Sequence, residues 1–176
     1  MWLAATRVST AVARFQASYS GGLPRKIGLA EKREGDHALA QALLTCMADN
    51  SADFTLTFRR LCDAATGEEA DPAVRTLFAD ANAYDGWAVR WRRRLAEGSA
   101  GPDERRAAMR AANPAFIPRN HLVEAAIAAA VMRDDFSPFE ELAEVLARPY
   151  EDRPGSERYA APPTPEERVQ QTFCGT

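Results

Sequence analysis

The stretch Asn113–Ala130, N-P-A-F-I-P-R-N-H-L-V-E-A-A-I-A-A-A, constrains this chain more than any other. Asn113–Pro114 ends whatever helix precedes it, because the proline ring clashes with an α conformation at the residue before it. Phe116–Ile117 then runs extended, and Pro118 suits the first turn of a new helix, where its missing N–H is not needed. Leu122, Val123, Ala126, Ile127, Ala130 and Val131 form a wide apolar stripe that predicts a central, core-facing helix. No nucleophile motif, metal box or phosphate loop lies in the stretch.

Similar punctuation divides the rest. Residues 1–19 repeat Val8, Val12, Phe15 and Tyr19 at helical spacing. They also carry Arg7, Arg14, several hydroxyls and no acid, which is transit-peptide composition, but the amphipathic core helix is the preferred reading. After Ser20-Gly21-Gly22 comes a short helix through Leu23–Leu29. Asp36 then caps a helix burying Leu39, Leu43, Cys46 and Met47, and Ser51 or Asp53 caps one with Phe54, Phe58, Leu61 and Cys62 inward. Asp71-Pro72 predicts a cap and first residue for a helix with Val74, Leu77 and Phe78.

Tyr84, Trp87, Trp91 and Leu95 line one face of the next helix, which Gly98 closes. Gly101-Pro102-Asp103 opens another that runs to Asn113. Ser137-Pro138-Phe139-Glu140 reads as a capping box for a helix with Leu142, Val145 and Leu146. Pro149, Pro154, Pro162, Pro163 and Pro165, five of the eleven prolines, mark an extended tail with a short helical turn at Thr164–Gln170. No useful length alternates with period two. The expectation is an all-α fold of about eight helices in one irregular bundle. Residues 1–147 are its helical domain, and 148–176 are a tail that packs along the helices or stays mobile.

The 176 residues suffice to bury about 70% of the unfolded surface. A hydrophobic fraction of 46% and a charged fraction of 27% are ordinary for a soluble domain. A net charge of −3 gives no general pull towards nucleic acid or anionic membrane, and no apolar run is long enough to span a bilayer. Three cysteines without zinc spacing argue against a disulfide framework and for a reducing compartment.

Several runs resemble one family. N-P-x-x-x-x-R-N-x-L-x-x-x-A-I from Asn113 is similar to the C-terminal region of the selenoprotein O (SelO, YdiU, UPF0061) protein adenylyltransferases. So are K-I-G-L at Lys26–Leu29, D-F-T-L-T-F-R-R-L at Asp53–Leu61, R-P-Y-E-D-R-P at Arg148–Pro154 and the ending Cys174-Gly175-Thr176. The resemblance spans nearly the whole chain but only the last third or so of a family member. It implies a kinase-like (pseudokinase) core that transfers AMP from ATP, with magnesium or manganese, to protein hydroxyls. No glycine-rich phosphate loop, V-A-I-K-like strand or D-F-G-like metal motif occurs here. The expectation is therefore a non-catalytic portion, without cofactor of its own, supporting a core that lies outside this sequence. Met1 is then an internal start or a fragment boundary. The alternative is a stand-alone helical module that binds a protein partner. Bacterial cytoplasm is the expected location, with the mitochondrion as alternative.

Individual residues are weighed in the same way. Cys174 is three residues from the terminus, and the resemblance places it at the family's selenocysteine-or-cysteine position, implying a redox thiol; otherwise it is an exposed cysteine without a role. Cys46 and Cys62 on apolar faces read as buried and inert. His37 and His121 lack ligand spacing and read as surface or capping residues. Arg90-Trp91-Arg92-Arg93-Arg94 with Arg105, Arg106 and Arg110 has the composition of a nucleic-acid patch. Trp87 and Trp91 on the apolar face argue instead for arginines on a solvated face, paired with Asp85 and Glu97. Asn113, Pro114, Arg119 and Asn120 are the structural motif: the first two stop a helix, and the R-N pair reads as scaffold, Asn120 bonding backbone groups and Arg119 pairing with a carboxylate.

Overall fold

In a computed structural model, which describes residues 21–169, every regular element is helical. Residues 21–26 are helical, followed by α1 (Asp36–Asp49), α2 (Phe54–Ala64), a 3-10 turn (Glu68–Ala70) and α3 (Asp71–Arg75). Then come α4 (Ala81–Ala96), α5 (Pro102–Ala112), α6 (Asn120–Arg133), α7 (Ser137–Leu146) and α8 (Glu157–Ala160). The chain divides between Asn113 and Pro114 into two compact units. The expected single bundle with its boundary at 147/148 is thus split earlier, at the residue pair that forces the backbone out of helix.

The unit ending at Asn113 is built on α4. Tyr84, Trp87, Trp91 and Leu95 are all buried, as their spacing predicts. Trp87 and Trp91 stack with ring centroids 5.1 Å apart. Each indole N–H is satisfied within the core, by the Leu39 carbonyl (2.9 Å) and the Ile27 carbonyl (2.7 Å) respectively. α1 packs on α4 and α2 packs on α5, closing a core that includes Ile27, Leu43, Phe58, Leu61, Val74 and Met109. Phe54, expected inward, is 51% exposed; it stands beside Phe58 at the opening of α2 with its ring 4.8 Å away.

Caps follow the prediction only in part. Asp53 caps α2 by accepting the Leu56 N–H at 2.8 Å. Asp36 is not the cap of α1: Gly35, in the left-handed region, takes that position. The Asp36 carboxylate instead holds Arg94. Asp71 likewise caps nothing, having been drawn to Tyr84 and Arg92.

The unit beginning at Pro114 has a core of Ala115, Phe116, Leu142, Val145 and Tyr159. The Pro149 carbonyl accepts the N–H groups of both Ala115 (2.7 Å) and Phe116 (3.1 Å), pinning the extended segment to the start of the tail. Arg153 bonds Glu144 at 2.6 Å and Arg158 bonds Glu141, so the tail straps α7. Its helical turn is α8; of the stretch expected to form one, 164–169 holds only a turn in which the Glu167 carboxylate accepts the Thr164 N–H, and Gln170 lies outside the described residues. The predicted capping box at Ser137 does not form. Phe136 is the cap residue and Ser137 donates to Asp135. Pro118 stands before the Arg119 cap of α6 rather than inside its first turn.

α6 is also not the core helix that its stripe predicted. Only Ala126 and Ala129 are buried, and Ile127 and Val131 face outward. The unit has too few elements to cover an apolar face that extends round this helix.

Replacing Trp91 by Ala is expected to lower the unfolding free energy by about 3–5 kcal/mol. Val89→Ala, on the exposed side of α4, should stay within about 0.5 kcal/mol of the parent. Urea titrations followed by far-UV circular dichroism compare the two.

Candidate functional site

Three of the runs singled out in the sequence meet at the C-terminal end of α5. Asn113 is fully buried, with φ −124° and ψ 105°, the extended conformation that the following proline requires. Its side-chain amide donates to the Lys26 carbonyl (2.8 Å) and approaches the Cys62 sulfur (3.7 Å). Its amide oxygen accepts from Lys26 Nζ (3.1 Å), which also donates to the Ala112 carbonyl (2.9 Å). Arg59 Nη1 donates to the carbonyls of Asn113 (2.9 Å) and Arg110 (3.3 Å). Two cations thus bind the carbonyls that a helix end leaves open, where the helix dipole favours positive charge.

The K-I-G-L run supplies more than Lys26. The Ile27 carbonyl receives the Trp91 indole, and Gly28 has φ 79°, in the left-handed region. A Cβ on Gly28 would lie 2.8 Å from the Met109 sulfur, so the close approach to α5 excludes a side chain. Burial pushes the Lys26 ammonium below its ordinary pKa, an effect the neighbouring Cys62 opposes. Burial likewise pushes the Cys62 thiol up, and its S–H contacts the Phe58 carbonyl at 3.3 Å. A thiol held protonated beside a bound lysine is a packing group, not a nucleophile.

Within the arginine cluster, Arg92, Arg94, Arg105 and Arg110 are drawn to acceptors of the protein itself, while Arg90 and Arg93 are exposed. Arg94 grips both oxygens of Asp36, at 2.7 and 3.0 Å. Arg92 joins Asp71 (2.8 Å) to the Ala64 carbonyl (3.0 Å), and Tyr84 completes the trio at 2.6 Å from Asp71. Arg105 donates to the Leu95 and Ala100 carbonyls, and Arg110 pairs with Asp63. The anticipated acids are used otherwise, Asp85 by Arg75 and Glu97 by Arg33. Burial opposes ionisation of Asp36, but hydrogen bonds from Arg94 and the Arg33 amide outweigh it and hold the carboxyl below the ordinary aspartate value of 3.8.

In the other unit, Arg119 is buried at the cap of α6, and its carbonyl accepts the N–H groups of Leu122 and Val123. Asn120 is the exposed first residue of that helix. Both open on a cavity of about 600 Å³ that also presents His121, Glu167 and Arg168. Cys46 and Cys62 are both free thiols, and Cys174 lies outside the described residues. Among the described residues no three His, Cys, Asp or Glu side chains gather as metal ligands. No helix among them is long and apolar enough to cross a membrane. The sequence marks Asn113 as the residue at a helix stop, but not Lys26 and Arg59 as its partners, since nothing local marks contacts across such separations.

Asn113→Ala, which removes the donor to the Lys26 carbonyl and one acceptor of Lys26 Nζ, should cost about 1–3 kcal/mol, read as a lower midpoint of thermal unfolding. For Asp36 the folded pKa is depressed, so its contribution is complete above pH 3.8 and is lost as pH falls through the folded value. The stability advantage of the parent over Asp36→Asn should therefore shrink below pH 3.8, in urea titrations at pH 7 and at pH 3.

The family model described as "Protein adenylyltransferase SelO" matches residues 4–147. A protein nucleotidyltransferase YdiU from Bradyrhizobium sp. (strain ORS 278) is 57% identical over 173 residues, 98% of this chain and 35% of the relative. One from Methylorubrum extorquens (strain PA1) is 58% identical over 169 residues, 93% of this chain and 34% of the relative. The chain therefore spans about a third of the length of these relatives. With a family match over residues 4–147 and 57% identity through 98% of its length to a YdiU relative, the chain belongs to the SelO (YdiU) family.

Proposed function

We propose that this chain is the C-terminal helical portion of a SelO-type protein adenylyltransferase, a support for a kinase-like core lying outside the given sequence. The observation that carries the reading is 57% identity running through 98% of the chain to a protein nucleotidyltransferase about three times as long. In the whole enzyme, AMP passes from ATP, with magnesium or manganese, to Ser, Thr or Tyr hydroxyls of protein substrates. Among the described residues no side-chain set fits a divalent metal, and the buried cations already hold helix carbonyls. No step of the transfer is assigned to this chain. Cys174 is its redox-sensitive thiol, and a bacterial cytoplasm its location.

The exposed apolar face of α6 and α7 favours a second reading, a stand-alone helical module that binds a protein partner. The native size in the source cell separates the two. A tail-directed antibody should reveal a band well above 19.3 kDa, and a band at 19.3 kDa would support the module.

With α-labelled ATP and magnesium or manganese, the Bradyrhizobium relative is expected to label protein, and the 176-residue chain alone is not. Labelling by the chain alone would overturn the non-catalytic assignment.

A further inference from the structure

α6 and α7 enclose a groove of about 450 Å³ whose walls are wholly apolar, among them Val123, Ile127, Ala130, Phe136, Phe139 and Leu142. Of this lining, Ile127, Phe136 and Phe139 are more than half exposed. Val131 and Met132, on the same helix as Ile127 but outside the lining, are 79% and 78% exposed. The described exposed ones elsewhere, Phe54, Val89 and Tyr150, are scattered singly. An apolar groove with several exposed large side chains in its wall marks an interaction surface, whereas single exposed residues do not.

The chemistry of the groove narrows the occupant. No polar group projects from its lining to orient a small ligand, which such pockets ordinarily supply. Glu124, Asp134, Asp135 and Glu140 flank it in the sequence against one exposed cation, Arg133. An isologous contact with a second copy would set these carboxylates against themselves. The unit buries seven apolar residues, three of them alanines, while Ile127, Phe136 and Phe139 of the groove stay more than half exposed. The relatives carry about two thirds of their length outside the region matched here.

We infer that the α6–α7 groove is the seat of that remaining part of a SelO-type chain, which inserts an apolar helix face flanked by basic residues. This rests on the reading given under Proposed function and names the surface through which the support acts. Helix-in-groove docking of this type uses apolar anchors at successive turns of the inserted helix.

The test uses two proteins that share Phe139→Cys in a background with Cys46, Cys62 and Cys174 replaced by Ser or Ala. One is the 176-residue chain; the other is a full-length chimera in which this chain replaces the matching region of the Bradyrhizobium relative. The rate of thiol labelling should fall roughly tenfold or more in the chimera, while a Val89→Cys control on α4 labels at like rates in both. Equal Phe139→Cys rates in chain and chimera would overturn the proposal. So would protection in the chain alone that grows with its concentration, since a second copy would then be the occupant. As a measurement independent of the chimera's folding, the chain is co-expressed with the remaining two thirds of the relative. Co-purification should survive Val89→Glu and be lost with Ile127→Glu plus Phe139→Glu; retention in the double variant would also overturn it. Neither readout involves nucleotide, so loss of AMP transfer with intact docking would refute the enzymatic reading alone.

Discussion

The carbonyl end of α5 is the constraint on which the larger unit depends. A helix that stops at a proline leaves carbonyls open, and here they are partly or wholly buried. Lys26 and Arg59 satisfy them from two separate parts of the chain, and Asn113 joins both through its side chain and its own carbonyl. Because a lysine loses solvation in that position, the arrangement holds only while each polar group keeps its partner. The node therefore ties the 21–26 segment, α2 and α5 into one register. Gly28 enforces that register sterically, by letting the backbone lie against Met109.

Helix positions and the buried face of α4 were legible because they need only local information. Tyr84, Trp87, Trp91 and Leu95 repeat at helical spacing, and Asn113–Pro114 breaks the helix by covalent geometry. The two misassigned aspartate caps share one cause. An aspartate before a helix has the same chemistry as an aspartate awaiting an arginine, and sequence distance conceals which it meets. Asp53 found an amide in its own first turn, Asp36 found Arg94, and Asp71 found Arg92 and Tyr84. The same reasoning accounts for the site: Asn113 announced itself, but its convergence with Lys26 and Arg59 is a tertiary fact.

The α6 stripe failed as a core prediction for a different reason. Periodicity locates an apolar face but carries no information about what covers it. In a unit with a handful of buried side chains, such a face is left uncovered among the described residues.

The placement of the tryptophans has an experimental consequence. Of the three tryptophans in the chain, Trp87 and Trp91 lie in the unit that ends at Asn113, and Trp2 precedes the described residues in the sequence. The stacked pair makes intrinsic fluorescence a sensitive gauge of that unit's packing. Residues from Pro114 onward contribute only tyrosine emission, from Tyr150 and Tyr159. A smooth single transition in tryptophan fluorescence would therefore be optically blind to melting of the α6–α7 pair, and cooperativity across the whole chain has to be judged by a backbone signal instead.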